Sequence, residues 1–252
     1  MAERKKICLV AGSVLLVVFF ALVIWVIIKN NGNLQSDRVN GMLKIETPYV
    51  TGQGVLYAYE DEYAYIVTAG HVMLGLQEGD ACKAFLPESG EKQVTVYALS
   101  QTADLAFLRI KKDELSHSEK EAEKDFSRFD ALEEGEMVRF VTYDEKDEAE
   151  EFDTSEGTDT SEGTDTSEGT EGSFRYTDGT LTSTWIYLND FSMNMMLAEA
   201  DTHSGMSGCG VYDNCGYLIG ILCGSCELAD KEVDEAAILP LSVIASEWEN
   251  IK

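Results

Sequence analysis

Between residues 49 and 110 apolar and polar positions alternate in short runs parted by turn residues, the period of two that half-buried strands require. Gly54–Tyr59 and Tyr63–Val67 flank Glu60-Asp61-Glu62 and predict a hairpin. Lys92–Ala98 and Leu105–Ile110 keep the same period, so this stretch reads as an all-β half. Residues 113–128 are charged and lack β-branched apolar side chains, which suits a solvated linker with a helical turn. Strand signals resume at Glu136–Tyr143, Thr180–Leu188, Met193–Ala198, Val211-Tyr212, Tyr217–Leu222 and Glu232–Leu239. Leu241–Ile251 spaces its apolar residues for a helix. The pattern predicts two β units joined by a linker and closed by a C-terminal helix.

Two stretches break the alternation. Thr154-Ser-Glu-Gly-Thr-Asp159 recurs at residues 160–165 and, with Glu for Asp, at 166–171, giving three copies without an apolar side chain. Residues 144–172 hold 13 acids and one base, so burial cannot offset their ordering entropy; an acidic, low-complexity insertion that stays disordered is expected. Solenoid repeats are longer and carry core positions, and calcium loops need a ligand spacing that this repeat lacks.

The other exception is Ile7–Ile28, 22 residues without a charge. At about 1.5 Å per residue such a run crosses a hydrocarbon core of roughly 30 Å. Cleaved signal peptides have an apolar core of about 7–15 residues before a small-residue cleavage site; Trp25-Val26-Ile27-Ile28-Lys29 offers no such site. Arg4, Lys5 and Lys6 precede the run and only Lys29 and Arg38 follow closely, which keeps the N-terminus in the cytoplasm. A cytoplasmic tail (1–6), a single transmembrane anchor (7–28) and a linker (29–41) are expected, with residues 39–252 on the far side of the cell membrane.

Charge sharpens this division. Nineteen Lys and Arg face 46 Asp and Glu, a net −27, yet residues 1–38 carry +3. Nucleic acid is excluded as a partner, because phosphate neutralisation needs clustered Lys and Arg. Disorder of the whole chain is excluded by 44% hydrophobic residues. Of six cysteines, Cys8 lies in the apolar run, and Cys82, Cys209, Cys215, Cys223 and Cys226 lie beyond it; five is odd, so one at least is unpaired within the chain. Cys223-Gly-Ser-Cys226 is compatible with a disulfide, a metal or redox exchange, but without a second pair it is a weak zinc signal. Free or structural thiols are expected, with no metal and no cofactor.

Three motifs carry chemistry. Thr68-Ala-Gly-His71-Val72 ends one strand and Thr102-Ala-Asp104 opens another, while His203-Ser-Gly205-Met-Ser207-Gly208-Cys-Gly-Val211 precedes a strand in the second unit. A serine hydroxyl is a poor nucleophile until an imidazole takes its proton, and a carboxylate must fix the imidazole tautomer and steady the imidazolium. Backbone N–H groups must face the developing oxyanion, where one lost donor costs about 2.7–4 kcal/mol. Singly, His71 reads as a strand-end histidine, Asp104 as a turn cap and Ser207 as a serine in a glycine-rich turn. Together, in that order at strand ends of two β units, they read as a nucleophilic triad.

These residues resemble the trypsin-like serine peptidase superfamily, most closely its bacterial HtrA-like branch. TAGHV, DLAFLRI and GMSGCGV are similar to the family's histidine, aspartate and serine motifs, and Thr51-Gly-Gln-Gly54, Gly220-Ile221 and Ala236-Ala-Ile-Leu-Pro240 to its flanking strands. The resemblance covers residues 42–248 and implies an all-β fold of two six-stranded β-barrels, parted near 112–131, with the site in the cleft between them. It implies His71 as general base, Asp104 as its orienter, Ser207 as nucleophile, and the N–H groups of Gly205 and Ser207 as the oxyanion hole. It places Asp201 at the base of the primary substrate pocket, favouring Lys or Arg, with Thr202 and His203 on its wall. Met206 stands where an Asp or Asn is usual, and Cys209-Gly210 where Gly-Pro is usual; with 45 residues after Ser207, an appended PDZ domain is not expected. The implied function is a membrane-anchored extracytoplasmic serine endopeptidase acting on proteins or peptides. Met206 and Cys209 keep a second reading open, a barrel pair that binds peptides or a partner without cleaving them, and the acidic repeat a third, a structural surface protein.

Overall fold

The computed structural model describes residues 41–120, 132–144, 172–226 and 235–252. The apolar run 7–28 and the repeats 154–171 lie outside these residues; among the described residues no helix is long and apolar enough to cross a membrane.

Twelve strands among the described residues close into two antiparallel barrels. The first comprises β1 (Met42–Glu46), β2 (Thr51–Glu60), β3 (Tyr63–Thr68), β4 (Ala81–Leu86), β5 (Gly90–Leu99) and β6 (Ala106–Lys111), in the order β1-β2-β3-β6-β5-β4. The second comprises β7 (Met137–Asp144), β8 (Ser173–Leu188), β9 (Met193–Ala200), β10 (Gly210–Asp213), β11 (Leu218–Cys226) and β12 (Glu235–Pro240), in the order β10-β11-β12-β9-β8-β7. Alternation does what the sequence requires: Val94, Val96 and Ala98 of β5 point into the barrel while their neighbours face outward. Register shifts at Leu56/Ala58 and Leu222/Gly224 bend β2 and β11 as closure demands. Two six-stranded barrels and a following helix therefore match the expected architecture.

Three elements differ from the sequence expectation. β1 and β4 were not predicted, and β8 begins at Ser173 rather than Thr180. β1 and β4 are short, and in β4 Ala84, Phe85 and Leu86 are buried in succession, so alternation is weak. The first half of β8 is polar and mostly exposed; its pairing with β7, from Met137↔Thr180 to Asp144↔Ser173, is carried by the backbone.

Helix α1 (Leu241–Ile251) leaves β12 of the second barrel and packs back onto the first. Leu241, Ile244 and Trp248 form its buried stripe at helical spacing. The Trp248 ring lies 4.6 Å from Tyr65, 5.2 Å from Phe107 and 6.2 Å from both Tyr57 and Tyr97, all residues of the first barrel. Tilted aromatic pairs at these separations add about 0.5–1.5 kcal/mol each beyond area burial. Burial, with Glu249 adding to it, pushes the Tyr57 phenol up to about 12.

The barrels are stitched by one buried amide. Gln53 of β2 is 2% exposed; its Oε1 accepts the Tyr143 N–H at 2.9 Å and its Nε2 donates to the Tyr143 carbonyl at 3.3 Å. Both polar atoms of a buried side chain are thereby satisfied by a strand of the other barrel. The Tyr212 hydroxyl adds a contact from β10 to the Met42 sulfur of β1, at 3.3 Å.

Candidate active site

The geometry starts at the end of β3, where the chain turns into a short 3₁₀ segment, Gly70–Met73. This turn lifts His71 out of the barrel while Val72 and Met73 stay buried. Asp104 lies in the loop between β5 and β6, directly opposite. Its Oδ1 accepts the His71 main-chain N–H and its Oδ2 meets His71 Nδ1, both at 2.8 Å. One carboxylate therefore fixes both the backbone and the ring of His71, and the contact at Nδ1 leaves Nε2 uncommitted to Asp104. A Cβ on Gly70 would come within 2.8 Å of Leu105 N and 3.0 Å of Asp104 Oδ1, so glycine is what lets the two loops close. The His71 side chain remains 44% exposed, open to a substrate, against 22% for Asp104. The hydrogen bond from Asp104 raises the His71 imidazole above its ordinary value, and outweighs the opposite effect of partial burial.

Ser207 reaches the same place from the second barrel. Its carbonyl accepts the Gln53 N–H at 2.8 Å. A Cβ on Gly52 would meet Val72 Cγ2 at 2.7 Å and the Ser207 carbonyl at 2.9 Å, so the histidine turn and the serine loop converge on one glycine. Gly208, at φ +86°, is held tighter still: a Cβ there would come within 2.1 Å of the Gln53 carbonyl and 2.4 Å of Thr68 Oγ1. That threonine is buried and donates to the same carbonyl at 2.7 Å. Ser207 Oγ and His71 make no hydrogen bond here, and such contacts are often formed only when substrate binds.

Within the loop the donors divide. The Met206 N–H is spent on the His203 carbonyl (3.2 Å), the Gly208 N–H on Leu222 (2.7 Å) and the Cys209 N–H on Met206 (2.9 Å). Among the described residues, the N–H groups of Gly205 and Ser207 donate to no main-chain partner. Gly205 takes φ +93°, a conformation that glycine alone adopts cheaply. Met206 is buried, and its sulfur accepts the His203 N–H at 3.4 Å, so the unusual residue before the serine packs inward and holds the loop from below.

Cys209 is buried and its thiol is pushed far above the ordinary range by burial, which keeps it neutral and unreactive. Cys223 is raised likewise by burial, with Asp104 adding to it, and its thiol lies 3.5 Å from the Asp104 carbonyl. Cys82, Cys209 and Cys223 hold free thiols, and no cluster among the described residues could hold a metal. Of the expected pocket residues, Asp201 is exposed just beyond β9, and the exposed His203 ring turns to the Ser204 carbonyl at 2.9 Å.

Sequence reasoning missed Gln53, for which a glutamine between two glycines of an otherwise apolar strand was the available signal. Cys223 was noticed only in the pair Cys223-Gly-Ser-Cys226, and nothing local placed its thiol beside Asp104.

The model of the trypsin-like peptidase domain matches residues 52–221. Among solved structures, an inactive form of Rv3671c from M. tuberculosis H37Rv is 15% identical with a TM-score of 0.56, over 89% of this chain and 92% of that one. The HtrA-type protease AlgW with a tripeptide is 17% identical with a TM-score of 0.62, over 88% of this chain and 63% of that one. An AlgW variant with a decapeptide is 15% identical with a TM-score of 0.60, over 88% and 66%. At these identities the likeness is one of fold, and no curated protein matches the sequence. With the family domain spanning both barrels and all three motifs, the chain belongs to the trypsin-like peptidases and is a serine peptidase.

Proposed function

We propose that the chain is a serine endopeptidase anchored in the cell membrane by residues 7–28, with its barrels outside the cytoplasm. The two-pronged contact of Asp104 with His71, beside the Ser207 loop, is the observation that carries this reading. His71 Nε2 takes the Ser207 proton as Oγ attacks the scissile carbonyl, and Asp104 steadies the imidazolium. The unspent N–H groups of Gly205 and Ser207 receive the oxyanion. His71 returns the proton to the leaving amine, and water then releases the acyl group by the reverse sequence. Peptide substrates agree with the AlgW structures, which hold a tripeptide and a decapeptide. The anchor rests on 22 uncharged residues behind a basic tail.

A membrane-impermeant fluorophosphonate applied to intact cells tests chemistry and topology together. Labelling of the wild-type membrane fraction, and none of Ser207→Ala, is expected; turnover of that variant should fall by about 10⁶-fold. Equal labelling of both chains would refute the nucleophile, and labelling only after lysis would refute the orientation.

A further inference from the structure

The loop that carries Asp104 is gripped from outside its own barrel. Glu247 of α1, half-buried, accepts the Ser100 hydroxyl on Oε2 at 2.6 Å and the Thr102 hydroxyl on Oε1 at 2.8 Å. A carboxylate only accepts, so both hydroxyl protons point at Glu247. The lone pairs of Ser100 Oγ are then turned the other way, toward the N–H groups of Thr102 (3.1 Å) and Ala103 (3.0 Å), which donate to it. The turn is closed by Ser100 N–H to the Leu105 carbonyl (2.9 Å) and Leu105 N–H to the Ala103 carbonyl (2.8 Å), so Asp104 sits between fixed residues on both sides. Glu247 precedes Trp248, whose ring is packed among aromatic residues of the first barrel, so the carboxylate stands on a rigid support.

We propose that Glu247 is a positioning residue for catalysis: through Ser100 and Thr102 it orients the Asp104 carboxylate, and thereby the His71 imidazole, from a helix that belongs to the other half of the fold. The inference rests on the triad reading. Asp104 is the charged group that meets His71, the Cys223 thiol lies near the Asp104 carbonyl, and Glu247 touches neither His71 nor Ser207.

The test uses the full chain and reads two quantities, steady-state kinetics on a fluorogenic peptide against pH and the titration midpoint of the His71 ring by NMR. A loosened Asp104 contact should cut kcat on the order of ten-fold in Glu247→Ala while KM stays within about two-fold. Because the same contact raises His71, the acid limb of activity and the ring midpoint should both move to lower pH. Ser100→Ala, which leaves the helix intact, should reproduce the shift. Glu247→Gln, which still accepts one hydroxyl and donates to the other, should recover most of kcat. Glu249→Gln, which alters the pair with Lys252 at the helix C-terminus and makes no hydrogen bond to Ser100 or Thr102, should change neither quantity. An unmoved acid limb and midpoint in both Glu247→Ala and Ser100→Ala would overturn the proposal, as would an equal shift in Glu249→Gln. The ring titration, made in the Ser207→Ala background, separates the two readings. A chain without turnover whose midpoint still moves loses the peptidase mechanism and keeps the brace; an active chain whose midpoint stays loses only the brace.

Discussion

The two barrels contribute to the site in opposite ways. The first builds its share internally: His71 and Asp104 lie on neighbouring loops of one barrel, joined by two hydrogen bonds of 2.8 Å. The second contributes Ser207 on a loop whose place is set across the seam, by Gln53, Gly52 and Thr68 of the first. On the proposed reading the proton-handling pair is joined within one barrel, with only its outer brace supplied by α1, and the nucleophile half is borrowed. Damage to the pair should change the electrostatics of His71; damage to the seam should move the serine and leave the imidazole as it was.

Three substitutions sharpen that contrast. The largest effect is expected for Asp104→Asn, about 10⁴-fold in kcat, since the amide presents the wrong hydrogen-bonding partner to Nδ1. Its pH profile should change as well. In the wild type Asp104 raises His71, and the base works only when neutral, so activity is lost as pH falls through a midpoint above the ordinary value of about 6.5. Without the carboxylate that midpoint falls. An acid limb unchanged by the substitution, followed by kcat/KM against pH, would show that Asp104 does not govern His71.

Gly208→Ala attacks the other half. A methyl group there meets main-chain oxygen at 2.1 Å in a left-handed conformation, so the serine loop must shift and turnover should drop by about 10²-fold or more. The His71 titration should stay at its wild-type midpoint, which NMR of the variant checks directly.

Glu119→Gln should have the smallest effect and act on stability alone. Glu119 is 4% exposed, yet its oxygens accept Glu88 N–H and Ser89 N–H at 3.1 Å, Ser116 N–H at 2.9 Å and the Ser89 hydroxyl. Burial raises its carboxyl, but these donors together outweigh burial and hold it below the ordinary value. A depressed carboxylate stabilises the fold above its unfolded value of about 4.3, and the contribution disappears as pH falls through the folded one. An amide turns a donor toward donors, at a cost of about 1–3 kcal/mol near pH 7. Thermal melts at pH 7 and pH 3 should show a gap that narrows on acidification, while kcat is retained.

The site was more legible in the sequence than the wiring around it. His71, Asp104 and Ser207 could be named as candidates because the chemistry restricts residue type and each lies beside glycine or at a strand end, and the structure joins the first two. Strands β5 and β6 showed through their alternation, and α1 through Leu241, Ile244 and Trp248 at helical spacing. β1 and β4 were hidden because they are short and their buried residues run in succession, which weakens the alternation, and the polar half of β8 because ladder bonds, and not buried side chains, define it. Glu119 and Glu247 act through partners 30 and 147 positions away, and contacts of that separation leave no local pattern; Gln53, 90 positions from its partner, showed only as a glutamine between two glycines. The Asp201 pocket came from resemblance alone, and in the fold that side chain is exposed.

The Trp248 packing also bears on the order of synthesis. Phe107 leaves the ribosome 141 residues before Trp248, and domains generally fold as they emerge, N-terminal first. The first barrel therefore spends that interval with its ring cluster uncapped and the aspartate loop unbraced. A half-made chain carries His71 and Asp104 without their final support, and the helix that completes the older barrel is translated only after the nucleophile. On the proposed reading, His71 and Asp104 acquire their full support only after the second barrel has been made.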